Sequence, residues 1–205
     1  MSKLLLLLGL CLGAVRATAQ ADWFFQYGVA WNLSTPLDRN FVSGTSGAGG
    51  HFELLVKPWK KSLMAGLQID WSTYDTYTPT ATYLFDGGNS ALTTDYYAYQ
   101  YNLPLLATVQ RYFGKGERLF PWARLAAGTQ YSLQQLYYGV FMEEHRSWGF
   151  SGKGEAGAAL AFSRNIPLLL SLSAGISYAT NGAAEFGDSD WLSWNVQLGL
   201  VLRQF

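Results

Sequence analysis

Odd positions from Trp23 to Leu33 are Trp, Phe, Tyr, Val, Trp and Leu, whereas Gln26, Gly28, Ala30 and Asn32 fall between them. Successive side chains of a strand point to opposite faces, so this stretch predicts a strand with one apolar face and one small, polar face. The same period of two recurs seven more times and predicts strands near 22–33, 48–57, 62–74, 96–112, 120–132, 148–162, 168–178 and 192–203. In the third run Leu63, Ala65, Leu67, Ile69 and Trp71 alternate with Met64, Gly66, Gln68 and Asp70; in the last, Trp194, Val196, Leu198, Leu200 and Leu202 alternate with Ser193, Asn195, Gln197, Gly199 and Val201. Short connectors ("PWKKS", "FGKGERL", "SRNIP") follow strands two, four and six, and long ones follow strands one, three, five and seven, the longest running from Asp75 to Asp95. An all-β, eight-stranded antiparallel up-and-down barrel is the expected fold, and this alternation of short turns and long loops is that of a transmembrane β-barrel. With eight strands, both chain ends fall on the short-turn side.

Composition decides which face is outside. Charged residues are 14% of the chain and aromatic residues 16%. A soluble barrel or β-sandwich would carry charge on about 25–35% of its surface positions. Here the polar face is Gln, Asn, Ser and Gly, and its charges are Glu53, Asp70, Arg124, Lys153 and Glu155. That set suits a packed interior, where isolated charges are costly and carboxylates must pair with Arg124 and Lys153. Gly28, Gly66, Gly128, Gly149, Gly157, Gly175 and Gly199 fall on the same face, as the crowded inside of a narrow barrel requires. The apolar face then meets lipid. Trp31, Trp71, Tyr74, Tyr97, Tyr99, Tyr131, Trp148, Tyr178 and Trp194 lie at the long-loop ends of strands, and Trp23, Phe25, Phe113, Phe120 and Phe162 at the other ends. Two aromatic girdles are expected there.

The N-terminus reads as a secretory signal: Lys3, an apolar run from Leu4 to Val15, and small residues that place the cut after Ala19, or after Ala21 as second choice. The run is too short to span a bilayer. Residues 1–19 are thus a signal peptide and 20–205 one barrel domain. Cys11, the single cysteine, lies within the signal, which excludes a disulfide framework and a Cys-ligated metal site from the barrel. No spacing indicates a cofactor or metal; "GDSDW" comes nearest to a calcium loop and lacks its ligand pattern.

Charge also sorts by side. Lys57, Lys60, Lys61, Arg111, Lys115, Arg118, Arg164 and Arg203 face Asp22 and Glu117 on the short-turn side. Asp38, Asp75, Asp86, Asp95, Glu143, Glu144, Glu185, Asp188 and Asp190 outnumber Arg39 and Arg146 on the long-loop side. An acidic outer surface disfavours nucleic acid as a partner and either attracts cations or is simply an array of solvated loops.

Three segments carry a family resemblance: "FQYGVAWNLST", "YNLPLLATVQRYF" with Pro104, and the closing "GLVLRQF". They resemble the small eight-stranded outer-membrane barrels common in Bacteroidota, related in architecture to OmpX and the OmpA barrel. Trp31 stands where a second glycine is common in that family, and Gln204 precedes Phe205, which falls out of phase with Leu202. The resemblance implies residence in a bacterial outer membrane with both termini periplasmic, contact with outer-membrane lipid and lipopolysaccharide, and an assembly signal at Phe205 read by the outer-membrane assembly machinery. The expected function is a structural or interaction module with a closed polar lumen and long, acidic, Tyr-rich outer loops.

Two alternatives are a lipid-processing enzyme and a narrow transport barrel. In "EEHRSWGF", His145 and Ser147 share a strand face near Glu143 and Glu144, a base-and-nucleophile spacing similar to the His-x-Ser of lipid A deacylases. Trp148 stands where that family has Asn, so His145 and Ser147 are read as structural. Last, the lipid-facing side of strands five and six carries Ala123, Leu125, Ala127 and Thr129 beside Gly152, Gly154, Ala156 and Ala158, mostly small residues that either ease barrel curvature or make a contact surface. Small residues let backbones approach closely in a membrane, so Ala127, Gly152, Gly154, Ala156 and Ala158 are a candidate groove for a partner barrel, surface protein or acyl chain.

Overall fold

A computed structural model of the chain describes residues 24–38, 41–57, 63–85, 90–113, 118–163, 166–182 and 190–204. Residues 1–19, read from the sequence as a signal peptide, and also Trp23 and Phe205, lie outside the described residues. The strands are β1 (Phe24–Pro36), β2 (Ser46–Lys57), β3 (Leu63–Phe85), β4 (Ser90–Tyr112), β5 (Leu119–Tyr138), β6 (Phe141–Ala161), β7 (Leu168–Ala179) and β8 (Trp191–Gln204). Each pairs antiparallel with its neighbours in sequence, and β1 pairs with β8 from Phe25↔Gln204 to Pro36↔Ser193 to close the ring. Within the ring, closure gives every strand a partner on both sides, the condition a backbone must meet in hydrocarbon.

Polarity is inverted relative to a soluble barrel. Gln26, Glu53, Gln68, Asp70, Gln110, Arg124, Lys153 and Gln197 are buried inside, while Val29, Leu67, Val109, Leu125, Leu172, Ile176 and Leu198 are exposed outside. On β8 the apolar exterior runs from Trp194 to Leu202, which at 3.4 Å per residue is about 27 Å of strand. At barrel tilt that is roughly 21 Å of height, close to the ~25 Å apolar band of membrane barrels. Trp31, Trp71, Trp148, Tyr178 and Trp194 are exposed at one end of the band, Phe113 and Phe162 at the other. Four expected girdle members are not there: Tyr97 and Tyr99 pair with Tyr77 and Asp75 on the sheet above the rim, and Tyr74 and Phe120 turn inward. Tyr74 and Phe120 sit at even positions of β3 and β5, so they point into the barrel, where Tyr74 is buried and Phe120 packs on Trp122 and its neighbours.

The long connectors differ from expectation. Most of the segment from Asp75 to Asp95 is paired β-structure, with β3 and β4 matched from Asp75↔Tyr99 out to Phe85↔Ser90. A register shift between Thr78 and Ala81 absorbs Pro79, which cannot donate to the ladder. Strands β5 and β6 pair out to Tyr138↔Phe141, closed by Gly139 and Val140. Threonine and tyrosine are strong strand formers, and their alternation overrides the turn signals of Asp, Pro and Gly. A four-stranded sheet, β3 to β6, therefore stands above the barrel rim. Gly139 has φ +59°, a conformation that costs other residues about 1–2 kcal/mol. Gly139→Ala is expected to lower the unfolding free energy by about 1 kcal/mol, read as a shift in the urea midpoint with tryptophan fluorescence, with the barrel itself intact.

Candidate functional site

The lumen is filled in layers. At the short-turn end lies an apolar floor of Trp122, Ala159, Leu169 and Val201, with Tyr112, Phe120 and Ala161 packed on it. Arg203 lies over the Tyr112 and Phe120 rings, 4.2 and 4.8 Å from their centroids. Above the floor is the charged layer. Arg124 donates to Glu53 and to Gln110, and its other amino group lies 3.4 Å from Glu155. Its guanidinium stacks 4.7 Å from the Trp122 ring centroid, so the floor also holds the cation from below. Lys153 Nζ bridges Asp70 Oδ2 (2.8 Å) and Glu155 Oε1 (2.7 Å). Glu53 takes a further hydrogen bond from Gln26 Nε2 at 2.7 Å, and Gln26 in turn accepts from the Tyr112 hydroxyl.

All five charges read from the sequence thus meet in one network. A sixth member was missed: His51 is buried with Nδ1 2.5 Å from Asp70 Oδ1 and Nε2 3.2 Å from Glu53 Oε2. Its position two residues before Glu53 on β2 puts both on one face, which was the available signal. Two permanent cations therefore serve three carboxylates, and the imidazole supplies the next donor.

Glycine makes the layer possible. A Cβ at Gly28 would meet the Glu53 side chain at 2.5–2.7 Å, and one at Gly175 would meet Glu155 Cγ at 2.7 Å. Each glutamate lies across a neighbouring strand whose glycine leaves the hollow it occupies.

Above the charges is an amide layer in which Gln130 donates to Asn181 (3.2 Å) and Ser132 to Asn102 (2.5 Å). An apolar cap of Val42, Tyr74, Ala98, Ala179 and Trp191, with Phe41 and Leu136 against it, closes the mouth. Tyr74 and Trp191 rings are 4.8 Å apart, and the Tyr74 hydroxyl donates to Ser34. The cavity beside the network, lined by Gly28, His51, Glu53, Arg124, Ser173 and Gln197 among others, measures about 20 Å³. That is room for about one water.

The other candidates lie apart from this layer. His145 and Ser147 are on β6 above the membrane band, and Ser147 Oγ donates to the Asn181 carbonyl at 3.2 Å. Glu143 accepts from the Tyr138 hydroxyl, while Glu144 is held by Gln135 (2.8 Å) and Arg146 (2.5 Å), which keep its carboxyl below the ordinary range. The nucleophile's hydroxyl is thus committed to the backbone, and both glutamates to other partners. Ala127, Gly152, Gly154, Ala156 and Ala158 face outward, with Ala127↔Gly152 and Ala123↔Ala156 paired, but Leu125 pairs with Gly154 between them and is 74% exposed. A Cβ at Gly152 or Gly154 would find only ordinary contacts, so the wall itself leaves room for a side chain there. No group of His, Cys, Asp and Glu suited to a metal ion occurs among the described residues.

Removing Arg124 leaves Glu53 buried without its permanent cation and Glu155 with Lys153 alone. Arg124→Met is expected to destabilise the barrel by about 3–5 kcal/mol, measured as the loss of the compact, heat-modifiable form at lower urea. Glu53→Gln in the same background is expected to recover part of that loss.

A scan of protein-family models and a search of curated proteins both gave no match. Solved structures do match. Neisserial surface protein A is 14% identical with a TM-score of 0.46, over 89% of this chain and 97% of that one. The outer membrane protein OprG of Pseudomonas aeruginosa is 12% identical with a TM-score of 0.46, over 88% and 95%. The outer membrane protease OmpT of Escherichia coli is 7% identical with a TM-score of 0.50, over 89% and 96%. At these identities the likeness is one of fold alone, an antiparallel barrel of the outer-membrane type.

Proposed function

We propose that the chain is an outer-membrane barrel with a sealed lumen that serves as a rigid platform, displaying the β3–β6 sheet to partners outside the cell. One observation carries this reading: a layer of mutually paired charges lies between an apolar floor and an apolar cap, and the cavity beside it holds about 20 Å³. A water-filled path requires the opposite, a continuous polar lining. The inverted polarity and the band of exposed apolar side chains support a membrane setting. The three resembling segments support an outer membrane of Bacteroidota type, with Phe205 as the assembly signal and both termini periplasmic.

Purified protein in a planar bilayer is expected to give no steady porin-sized conductance. Sustained conductance at that level would overturn the sealed-lumen reading. The catalytic alternative has its own check. Because Ser147 is bonded to the Asn181 carbonyl, His145→Ala is expected to leave the lipid profile of the producing cells unchanged by mass spectrometry. In the same spirit the outward strip is read as a partner or acyl-chain groove, so Gly154→Leu with Ala156→Leu is expected to give an intact heat-modifiable barrel that loses a co-purifying partner or lipid.

A further inference from the structure

Above the girdle, the outward face of the β3–β6 sheet carries a row of Asp75–Tyr99–Gln135–Glu144, flanked by Thr73–Tyr101–Leu133–Arg146 below and Tyr77–Tyr97–Tyr137–Met142 above. The middle row has a carboxylate at each end. Glu144 is held by Arg146 and Gln135. Asp75 is exposed, and its carboxylate has no hydrogen-bond or ion-pair partner among the described residues. Four tyrosines ring it. Tyr99 stands directly opposite on β4, Tyr77 is two residues along β3, and Tyr97 and Tyr101 are the diagonal neighbours on β4. Opposite side chains on one face lie about 5 Å apart and diagonal ones about 7–8 Å, within reach of aromatic rings. The rings touch one another, Tyr77 to Tyr97 at 4.7 Å and Tyr97 to Tyr99 at 6.4 Å, and Tyr77, Tyr97 and Tyr101 are half-exposed.

A carboxylate alone takes any cation, and an aromatic face alone takes any apolar group. Together they select a cation that also stacks. This face is an open sheet, so it cannot enclose a tetrahedral ammonium as an aromatic cage does. A planar guanidinium needs no cage: it lies on a ring face and turns its fork of N–H donors to the carboxylate. The other end of the same row already shows that pairing within the chain, since Arg146 Nε donates to Glu144 Oε1 at 2.5 Å. Phosphate and other anionic head groups are repelled by Asp75. In macromolecules a guanidinium is an arginine side chain, so the occupant is a polypeptide, and tyrosine and arginine are the side chains that dominate protein–protein hot spots. We infer that Asp75, with Tyr77, Tyr97, Tyr99 and Tyr101 around it, is a docking surface for an arginine side chain of a partner protein. The inference rests on the proposed display of the β3–β6 sheet and gives that partner its chemistry.

Fluorescence anisotropy of a labelled oligo-arginine peptide, with the full-length protein held in phosphatidylcholine nanodiscs, tests it. At about 0.15 M salt, where long-range attraction is screened, oligo-arginine is expected to bind wild type about fivefold more tightly than oligo-lysine of the same length. Asp75→Asn is expected to weaken oligo-arginine by about tenfold, as is Tyr97→Ala with Tyr99→Ala. Tyr97→Phe with Tyr99→Phe retains the affinity, because ring faces and not hydroxyls make the contact. Glu143→Gln removes an equal charge from the opposite face of the sheet, where Glu143 accepts from Tyr138, and is expected to leave the affinity unchanged. Equal or undetectable binding of the two peptides would overturn the proposal, as would equal losses in Asp75→Asn and Glu143→Gln or an alanine variant that binds like wild type. Heat-modifiable migration is recorded for every variant, and if the double alanine variant loses it, Tyr97→Ala and Tyr99→Ala decide singly against their phenylalanine counterparts. An antibody to the β5–β6 hairpin that fails to label intact cells would instead refute the display of the sheet outside the cell, a separate failure.

Discussion

Charges inside a barrel this narrow are cut off from bulk water, since the wall turns an apolar face outward and apolar side chains fill both ends. They must therefore satisfy one another. Glu53, Asp70 and Glu155 do so with Arg124, Lys153 and His51, and nearly every other interior feature follows from that arrangement. Gln26, Gln68 and Gln110 complete the hydrogen bonds that the ions leave over. Glycines at 28 and 175 give the glutamates somewhere to lie. The Trp122 face steadies the guanidinium. A hydrophobic filling of equal volume is often as stable as a buried ion network, so such a network is better understood as fixing one register of the strands than as added stability. Arg124–Glu53, Arg124–Glu155 and Lys153–Asp70 each join different strands, which ties β2, β3, β5 and β6 to a single alignment.

Much of this was legible in the chain, for a physical reason. Period-two patterning is a strand's own signature, and a lipid-facing wall makes it unusually regular, so the eight strands and their inner faces follow from alternation alone. The same rule, applied strictly, would have placed Tyr74, Phe120 and His51 inside as well. Their residue types pointed elsewhere: aromatic rings near strand ends suggest a girdle, and a histidine suggests chemistry. Parity was the better guide. The layering into floor, charges, amides and cap was not legible, because it depends on the stagger between strands, which no single strand records. Val42 shows this most clearly, since it comes from the segment between β1 and β2 and closes the mouth against Tyr74 and Trp191.

Strand ends were the other weak point. Asp75, Pro79 and Gly139 are turn residues by local preference, yet only Gly139 sits in a turn. Tyr77, Tyr97, Tyr99 and Tyr137 pair across neighbouring strands, and those contacts outweigh the local preference of the residues between them. The barrel thus carries its outer surface on strands continuous with its membrane wall, so the position of an exposed side chain there is set by register and not by loop conformation.

That continuity exposes two strand edges. Nearest the rim both edges are covered, since Thr73 N–H donates to Ser46 Oγ and Ser43 N–H to Thr76 Oγ1 along β3, and Phe150 N–H donates to Thr180 Oγ1 along β6. Farther out, β3 has only β4 and β6 only β5 as strand partners among the described residues. An unpaired edge invites another chain to zip onto it, and in a crowded membrane the nearest chain is another copy. Both edges carry the usual deterrents. Pro79 and the register shift beside it interrupt the β3 edge, and Glu143, Glu144 and Arg146 place charge along the β6 edge. Neighbouring barrels can therefore press side by side at high density without fusing their sheets into a fibre.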